Sequence, residues 1–246
     1  MPKVTFFHMR EKDFSNLIYR DLYSDLIDLR DFTGTYIMCD FETLDRISKE
    51  VEEENPNKLV YLGNGNYHYM TLTLLRQFKK PYTLVTFDHH HDAWLNYPQM
   101  TSCSSWVHTA IENLPFLKEV IVVGAGTSNL PQSLSNLKIL DENTYSQNAL
   151  YKLSQIIKTK NIYLSIDRDF LSKKEVQTNW DQGQFQLAEL LNGINILLKN
   201  HTLIGADVCG DLLWDYQTTN SYSMQPMLEK SIQVNKEIFN FLKHFL

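Results

Sequence analysis

Eight short runs of apolar, β-favouring residues recur along the chain, and several of them are apolar on both faces. A strand with one face in water would alternate apolar and polar residues, so these runs indicate strands of a parallel sheet that helices cover on both sides. The predicted strands are residues 4–7, 36–39, 59–62, 82–87, 120–123, 137–140, 162–166 and 203–208.

The segments between these strands carry apolar residues at helical spacing, for example Phe41, Leu44, Ile47 and Val51. Strands that alternate with helices predict a three-layer α/β/α fold with an eight-stranded, mostly parallel sheet. Residues 226–246 repeat this spacing and predict a closing amphipathic helix. With 246 residues, 43% of them hydrophobic, we expect one domain that spans residues 1–246.

Charge and composition restrict the partners. The chain has 23 Lys and Arg against 29 Asp and Glu, a net charge of −6, and no basic block. The resulting field repels nucleic acids and acidic membranes, and no apolar stretch approaches the ~20 residues that cross a bilayer. We therefore predict a cytoplasmic protein with no nucleic-acid or membrane partner. Its three scattered cysteines, Cys39, Cys103 and Cys209, favour reduced thiols over a disulfide framework.

Polar clusters follow four of the predicted strands. Ligands bind at the carboxyl ends of the strands in open parallel sheets, so these clusters mark the candidate site. Their sequences are GNGNYH, which ends at His68, DHHHDAW from Asp88, DRDFL from Asp167 and CGDLLW from Cys209.

The DHHHDAW segment is the most informative of the four. Along an extended backbone, Asp88, His90 and Asp92 share one side. Two carboxylates that bracket an imidazole require a cation when buried, because each uncompensated charge costs several kcal/mol. Asp167 and Asp169 repeat the spacing at the end of another apolar strand. The four aspartates carry a charge of −4, which two divalent cations balance.

The donor types narrow the choice of metal. Oxygen-rich ligation with imidazole and without thiolates favours Mn²⁺, with Fe²⁺, Co²⁺, Ni²⁺ and Zn²⁺ as alternatives. A single aspartate at a strand end is commonly a helix cap, and a single histidine such as His68 is commonly structural. The prediction of a metal site therefore depends on the combination of these residues.

The ordered motifs, a Gly-rich turn with His, then D-x-H-x-D, then S-x-D-x-D from Ser165, resemble the arginase, agmatinase and formiminoglutamase family of ureohydrolases. This resemblance implies an α/β/α fold around an eight-stranded parallel sheet and a pair of Mn²⁺ ions that share a bridging hydroxide. Carried onto this sequence, it implies the metal ligands His68, Asp88, His90, Asp92, Asp167 and Asp169.

Several positions depart from the family pattern. The second motif lacks the usual Asp-Pro, and Trp94 replaces the Asn that holds the amino acid end of arginine in arginases. Arginine is therefore not the expected substrate. For proton transfer we predict His108, with His91 as the alternative. For binding a cationic nitrogen we predict Asp211, with Asp207 as the alternative.

All four tryptophans follow the strands that carry the predicted ligands. We expect at least two of them to line the mouth of the site and to contact a flat or cationic group, with capping of the core as the alternative for each one. These candidate substrate-binding residues are Trp94, Trp106, Trp180 and Trp214.

The sequence thus predicts a binuclear metal-dependent hydrolase that cleaves a linear C–N bond. The substrate would be a small nitrogen-containing molecule, namely a guanidino, amidino, formimino or amide compound. Two alternatives stay open: a deacetylase with a single Zn²⁺ on the same fold, and a non-catalytic binding protein that a metal stabilises. Assembly into a homo-oligomer is also left open.

Overall fold

A parallel sheet of eight strands forms the centre of the part of the chain that the computed structural model describes, namely residues 3–10, 13–95, 97–128, 130 and 134–246. The strands are β1 (Val4–His8), β2 (Asp25–Asp28), β3 (Met38–Asp40), β4 (Leu59–Tyr61), β5 (Tyr82–Phe87), β6 (Met100–Ser102), β7 (Leu117–Val123), β8 (Leu137–Leu140), β9 (Asn161–Asp167) and β10 (Thr202–Cys209). The order of the strands in the eight-stranded sheet is β2-β1-β4-β10-β9-β5-β7-β8.

Helices flank this sheet, which confirms the predicted α/β class. They are α1 (Ser15–Ile18), α2 (Phe41–Glu54), α3 (Thr71–Leu75), α4 (Trp106–Asn113), α5 (Gln147–Ser154), α6 (Leu187–Leu198), α7 (Tyr216–Thr219) and α8 (Gln225–Leu242). Short 3-10 turns cover Gly65–Met70, Arg168–Phe170 and Tyr222–Met224.

The number of strands was predicted correctly, but one predicted member was wrong. Residues 36–39 do not enter the central sheet, because β3 pairs antiparallel with β6 in a separate two-stranded sheet. The eighth strand is instead β2, which pairs with β1 at the edge. Three of its four residues are exposed, Asp25 and Asp28 among them. Charged side chains are typical of an edge strand, and they removed the apolar signal on which the prediction depended.

Two hydrophobic clusters lie on opposite faces of the sheet. One contains side chains of α5, α6 and α8, including Leu150 and Ile238. The other contains side chains of α2, α3 and α4, including Leu44 and Val107. Successive strand residues point to opposite faces, so Leu84 packs in the second cluster while its neighbour Val85 packs in the first. This is the predicted three-layer arrangement.

The last helix confirms the prediction for the end of the chain, with a start one residue earlier and an end four residues earlier than the predicted 226–246. Pro226 lies in its first turn, where amide groups have no hydrogen-bond partner within the helix, so the amide hydrogen that proline lacks is not needed. Its apolar residues Ile238 and Leu242 are buried against the sheet. Among the described residues, no helix is long and apolar enough to cross a membrane. The three cysteines are free and buried.

The topology brings four loops to one edge of the sheet. Strands β4, β10, β9 and β5 are consecutive neighbours and run in the same direction. Their carboxyl ends therefore lie side by side, and the four polar clusters of the sequence follow these ends.

Candidate metal centre

His68 lies at the centre of the site, in the 3-10 turn that follows β4. Asn64 begins this turn by accepting a hydrogen bond from the amide of Asn66. The imidazole is buried, and its Nδ1 faces three carboxylate oxygens. This nitrogen lies 3.3 Å from Asp88 Oδ2, 3.1 Å from Asp92 Oδ2 and 3.5 Å from Asp167 Oδ2.

None of these approaches is a well-formed hydrogen bond. Within the described chain, His68 Nδ1 and Asp88 Oδ2 are both buried and without a hydrogen-bond partner. Ligands about 2.0–2.2 Å from one metal ion are roughly 2.8–3.6 Å from each other, which matches the observed separations. The unpartnered atoms therefore fit a shared cation.

A hydrogen-bonded chain behind His68 sets its tautomer. Ser165 Oγ donates to Asp207 Oδ1 at 2.8 Å and lies 2.8 Å from His68 Nε2. Because its proton is directed to Asp207, the serine oxygen accepts the Nε2 proton of His68. This leaves the lone pair of Nδ1 free to face the carboxylates, as a metal ligand requires. Tyr163 donates to the other oxygen of Asp207 at 2.9 Å, so Asp207 supports His68 and is not available to substrate.

A second group of donors adjoins the first. His90 Nδ1 lies 2.8 Å from Asp169 Oδ2 and 3.7 Å from Asp88 Oδ1. One atom from each of these three residues lies within 4.8 Å of the others, and the same holds for His68, Asp88 and Asp92. Asp88 belongs to both groups, so the arrangement has two donor sets with a common carboxylate.

Asp167 completes the six residues. It ends β9, its Oδ1 accepts a hydrogen bond of 2.9 Å from the amide of Asp169, and its Oδ2 faces His68. The structure thus brings together all six residues that the family resemblance indicated as ligands.

The backbone of the first motif differs from the expectation. Strand β5 ends at Phe87, and the following segment turns, with the amide of His90 bonded to Asp88 Oδ1 at 2.6 Å. Asp92 has a positive φ of 48°. The predicted extended alternation was therefore wrong. Asp88 and Asp92 face His68 because of this turn and not because of a strand.

The electrostatics of the six residues favour a cation. Burial raises the pKa of Asp88 well above its usual value, and the nearby charges of Asp169 and Asp92 raise it further. Burial, with Asp169 as the next cause, raises the pKa of Asp167 to about 6. Burial lowers the pKa of His90, but its hydrogen bond to Asp169 and the charges of Asp169, Asp88 and Asp92 together outweigh this effect and raise the pKa to about 10. Groups that retain protons so strongly offer sites that a divalent cation can occupy in their place.

The donors open into a cavity of about 60 Å³. Two half-exposed tryptophans, Trp94 and Trp180, stand at its mouth with 45% and 40% of their surface accessible. Trp180 is held by a hydrogen bond of 2.9 Å from its Nε1 to Asn66. The lining residues are Gly65, Asp88, His90, Asp92, Trp94, Cys103, Ser104, Asp167, Asp169 and Trp180.

The other two tryptophans are core residues. Trp106 and Trp214 are fully buried. Trp106 Nε1 donates to Asp92 Oδ2 at 2.8 Å, and Trp214 Nε1 donates to Asp211 Oδ1 at 2.9 Å. Neither lines the cavity, so the expected substrate contact does not hold for these two. Trp106 instead orients one of the four carboxylates of the site.

The two residues predicted to be catalytic also lie outside the cavity lining. His108, on α4, is buried with its Nε2 3.1 Å from Glu112. The alternative histidine, His91, makes contacts with the backbone of Ala93 and Ser128. Asp211 is fully buried and its Oδ1 lies 2.6 Å from Arg168 Nη2. Because Arg168 occupies Oδ1 and Tyr61 donates a hydrogen bond to Oδ2, Asp211 has no free oxygen to offer a substrate nitrogen.

Sequence reasoning missed Arg168, which lies between Asp167 and Asp169. Besides Asp211, its guanidinium donates to the carbonyl of Gly210, to Ser231 Oγ and to Asn235 Oδ1. It thereby joins the metal-binding turn to α8. The one signal in the sequence was an arginine directly after a buried apolar strand, a position that requires an anionic partner elsewhere.

Comparison with known proteins identifies the family. The model of the arginase family matches residues 9–210, more than four fifths of the chain. The chain belongs to the arginase family.

Individual proteins are similar to this chain in sequence or in fold. An uncharacterized protein of Thermotoga maritima is 32% identical over 165 residues, which cover 66% of this chain and 62% of that protein. The crystal structure of a hypothetical agmatinase from Burkholderia thailandensis has a TM-score of 0.66 at 16% identity and covers 99% of this chain and 86% of its own. Proclavaminate amidino hydrolase from Streptomyces clavuligerus has a TM-score of 0.65 at 13% identity, with coverage of 99% and 92%. At such identities the two structures show the fold alone.

Proposed function

We propose that this member of the arginase family is a binuclear metal-dependent hydrolase. It would cleave a linear C–N bond in a guanidino, amidino, formimino or amide compound other than arginine. The observation that carries this proposal is the pair of donor groups that share Asp88.

The residues present fit two divalent cations. His68, Asp92 and Asp167 would hold one, His90 and Asp169 would hold the other, and Asp88 would contact both. The buried, unpartnered Nδ1 of His68 and Oδ2 of Asp88 support this assignment. The four carboxylates balance two dications in charge, and the mixture of oxygen and imidazole donors favours Mn²⁺ while permitting other divalent metals.

The protein's own side chains supply a shaped cavity. When bound, a pair of divalent metals supplies a water-derived nucleophile at neutral pH. Asp88 and Asp167 lie at the base of the cavity, and Trp94 and Trp180 form its walls. A planar group placed between these indoles would be directed toward the donors. The walls would also favour a cation, by roughly 0.5–2 kcal/mol for each cation–π contact.

The same cavity disfavours amino acid substrates. No described residue that lines it is Lys or Arg, so a carboxylate at the end of a substrate remote from the metal ions would find no cationic side chain there. Trp94 stands where arginases place an Asn. We therefore expect compounds without a carboxylate next to the reacting end to be preferred over arginine.

A substrate panel tests the proposal. Manganese-loaded protein would be incubated with guanidino, amidino, formimino and acetylated compounds, and released ammonia, urea or amine would be measured. We expect turnover with at least one carboxylate-free compound, and its loss in Asp88→Asn and Asp169→Asn. The exposed Asp45→Asn serves as the matched control and should retain activity.

The alternatives give different results. A non-catalytic metal-stabilised protein would show no turnover in any member of the panel, and the same two substitutions would lower only its thermal stability. A deacetylase would release acetate and hold a single metal ion in each chain.

A further inference from the structure

Cys209 brings a thiol to the edge of the metal centre. It is the last residue of β10 and is fully buried. Its Sγ lies 3.2 Å from Asp167 Oδ2, the oxygen that faces His68.

Gly210 makes this close approach possible. Its φ is +90°, and a Cβ at this position would lie 2.2 Å from Asp167 Oδ1. Glycine therefore lets the end of β10 turn against the aspartate, which leaves the preceding thiol beside the donors.

The thiol completes a third donor group. One atom each from His68, Asp167 and Cys209 lies within 4.8 Å of the others. Asp167 Oδ2, which accepts the close approach of the thiol, lies 3.5 Å from His68 Nδ1, and this buried nitrogen has no hydrogen-bond partner among the described residues. In tetrahedral zinc, with bonds of about 2.0 Å to O or N and about 2.3 Å to S, neighbouring donors are roughly 3.3–3.5 Å apart. The Sγ–Oδ2 distance of 3.2 Å and the Nδ1–Oδ2 distance of 3.5 Å are close to these values.

We propose that Cys209 is a metal ligand, a seventh donor that binds Zn²⁺ or Co²⁺ through sulfur together with His68 and Asp167. This inference rests on the proposed metal centre and goes beyond its six oxygen and nitrogen donors. Sulfur prefers softer cations, so Cys209 raises the affinity of the site for Zn²⁺ and Co²⁺ relative to Mn²⁺.

The other cysteines provide matched controls. Cys39 is also buried, but its Sγ bonds to the carbonyl of Asp40 and it belongs to none of the three donor groups. Cys103 lines the cavity without joining a donor group among the described residues.

Cobalt and zinc are the probes. Co²⁺-loaded wild type should show a near-ultraviolet sulfur-to-cobalt charge-transfer band that persists in Cys39→Ser and Cys103→Ser and is lost in Cys209→Ser. X-ray absorption of the zinc-loaded wild type should show a sulfur neighbour at about 2.3 Å. By calorimetry, Cys209→Ser should weaken Zn²⁺ binding at least ~10-fold. This is the smallest loss expected when a residue that only supports a metal ligand is removed, and loss of a ligand itself should cost no less. The Mn²⁺ affinity of Cys209→Ser should change far less.

Three results would overturn the inference. The first is an X-ray absorption spectrum of the zinc-loaded wild type that shows only nitrogen and oxygen neighbours. This measurement does not depend on whether Cys209→Ser folds. The second is a cobalt band that disappears in Cys103→Ser and stays in Cys209→Ser. Either result leaves the proposed metal centre intact. The third, failure of the wild type to bind Zn²⁺, Co²⁺ or Mn²⁺ at all, refutes this inference and the proposed function together.

Discussion

The buried ion pair of Arg168 and Asp211 gives a quantitative prediction. Both side chains are fully buried, and Arg168 Nη2 lies 2.6 Å from Asp211 Oδ1. The carboxylate also accepts hydrogen bonds from Trp214 Nε1 at 2.9 Å and from Tyr61. Removal of the guanidinium leaves a buried carboxylate that neutral donors compensate only in part.

Arg168→Met should therefore destabilise the protein strongly. Removal of one partner of a buried pair costs about 3–5 kcal/mol. In a chain of this length each kcal/mol lowers the melting temperature by roughly 2–4 °C, so a decrease of about 10 °C is expected. Urea unfolding of the chelator-treated protein measures the free energy, and treatment with chelator removes any contribution of bound metal. Asp211→Asn should cost a similar amount, and the double variant should cost less than the sum of the two.

A solvent-exposed pair provides the control. Arg76 Nη1 lies at the same distance of 2.6 Å from Asp45 Oδ1, but both side chains are partly or largely exposed. Arg76→Met should cost at most about 1 kcal/mol. If Arg168→Met costs no more than this control, or if the double-variant effects simply add, the claim that Arg168 and Asp211 form a coupled buried pair is refuted.

Three further predictions concern the site. Ser165→Ala removes the acceptor that orients His68 and should weaken Mn²⁺ binding ~10–100-fold by calorimetry; an unchanged affinity would contradict that role. Burial raises the pKa of Asp207 to about 6, so the ionised carboxylate lowers the free energy of unfolding above that pH. As the pH rises from 4 to 7, metal-free Asp207→Asn should therefore gain about 3 kcal/mol in the free energy of urea unfolding relative to wild type. A difference between the two proteins that does not change with pH would contradict this expectation. Amidine compounds should quench the tryptophan fluorescence of the metal-loaded wild type, and the combined variant Trp94→Leu and Trp180→Leu should lose this response. Full quenching in the variant would refute the claim that Trp94 and Trp180 contact the ligand.

The sequence predicted the place of the site better than its surroundings. Apolar runs located seven of the eight strands of the central sheet, and the rule that ligands bind at the carboxyl ends of parallel strands selected the right loops. Strand β2 was not predicted, because Asp25 and Asp28 at the sheet edge interrupt its apolar pattern. Asp88 and Asp92 do meet, but through a turn at Asp92 that residue alternation does not describe.

The roles of Asp211 and the tryptophans depended on tertiary contacts. The partner of Asp211 is Arg168, 43 positions earlier in the chain, and no local pattern indicates this pairing. All four tryptophans follow strands of the site, yet whether an indole ends in the core, as Trp214 does, or at the cavity mouth, as Trp180 does, depends on packing. Burial of this kind is a property of the assembled fold and not of any one segment.

The metal content of the protein tests the central claim most directly. After loading with Mn²⁺ and removal of excess metal, elemental analysis should find two ions in each wild-type chain. Asp88→Asn should retain fewer than one, because this carboxylate belongs to both donor groups. A wild type that holds one ion or none, or an Asp88→Asn variant that retains two, would contradict the binuclear centre.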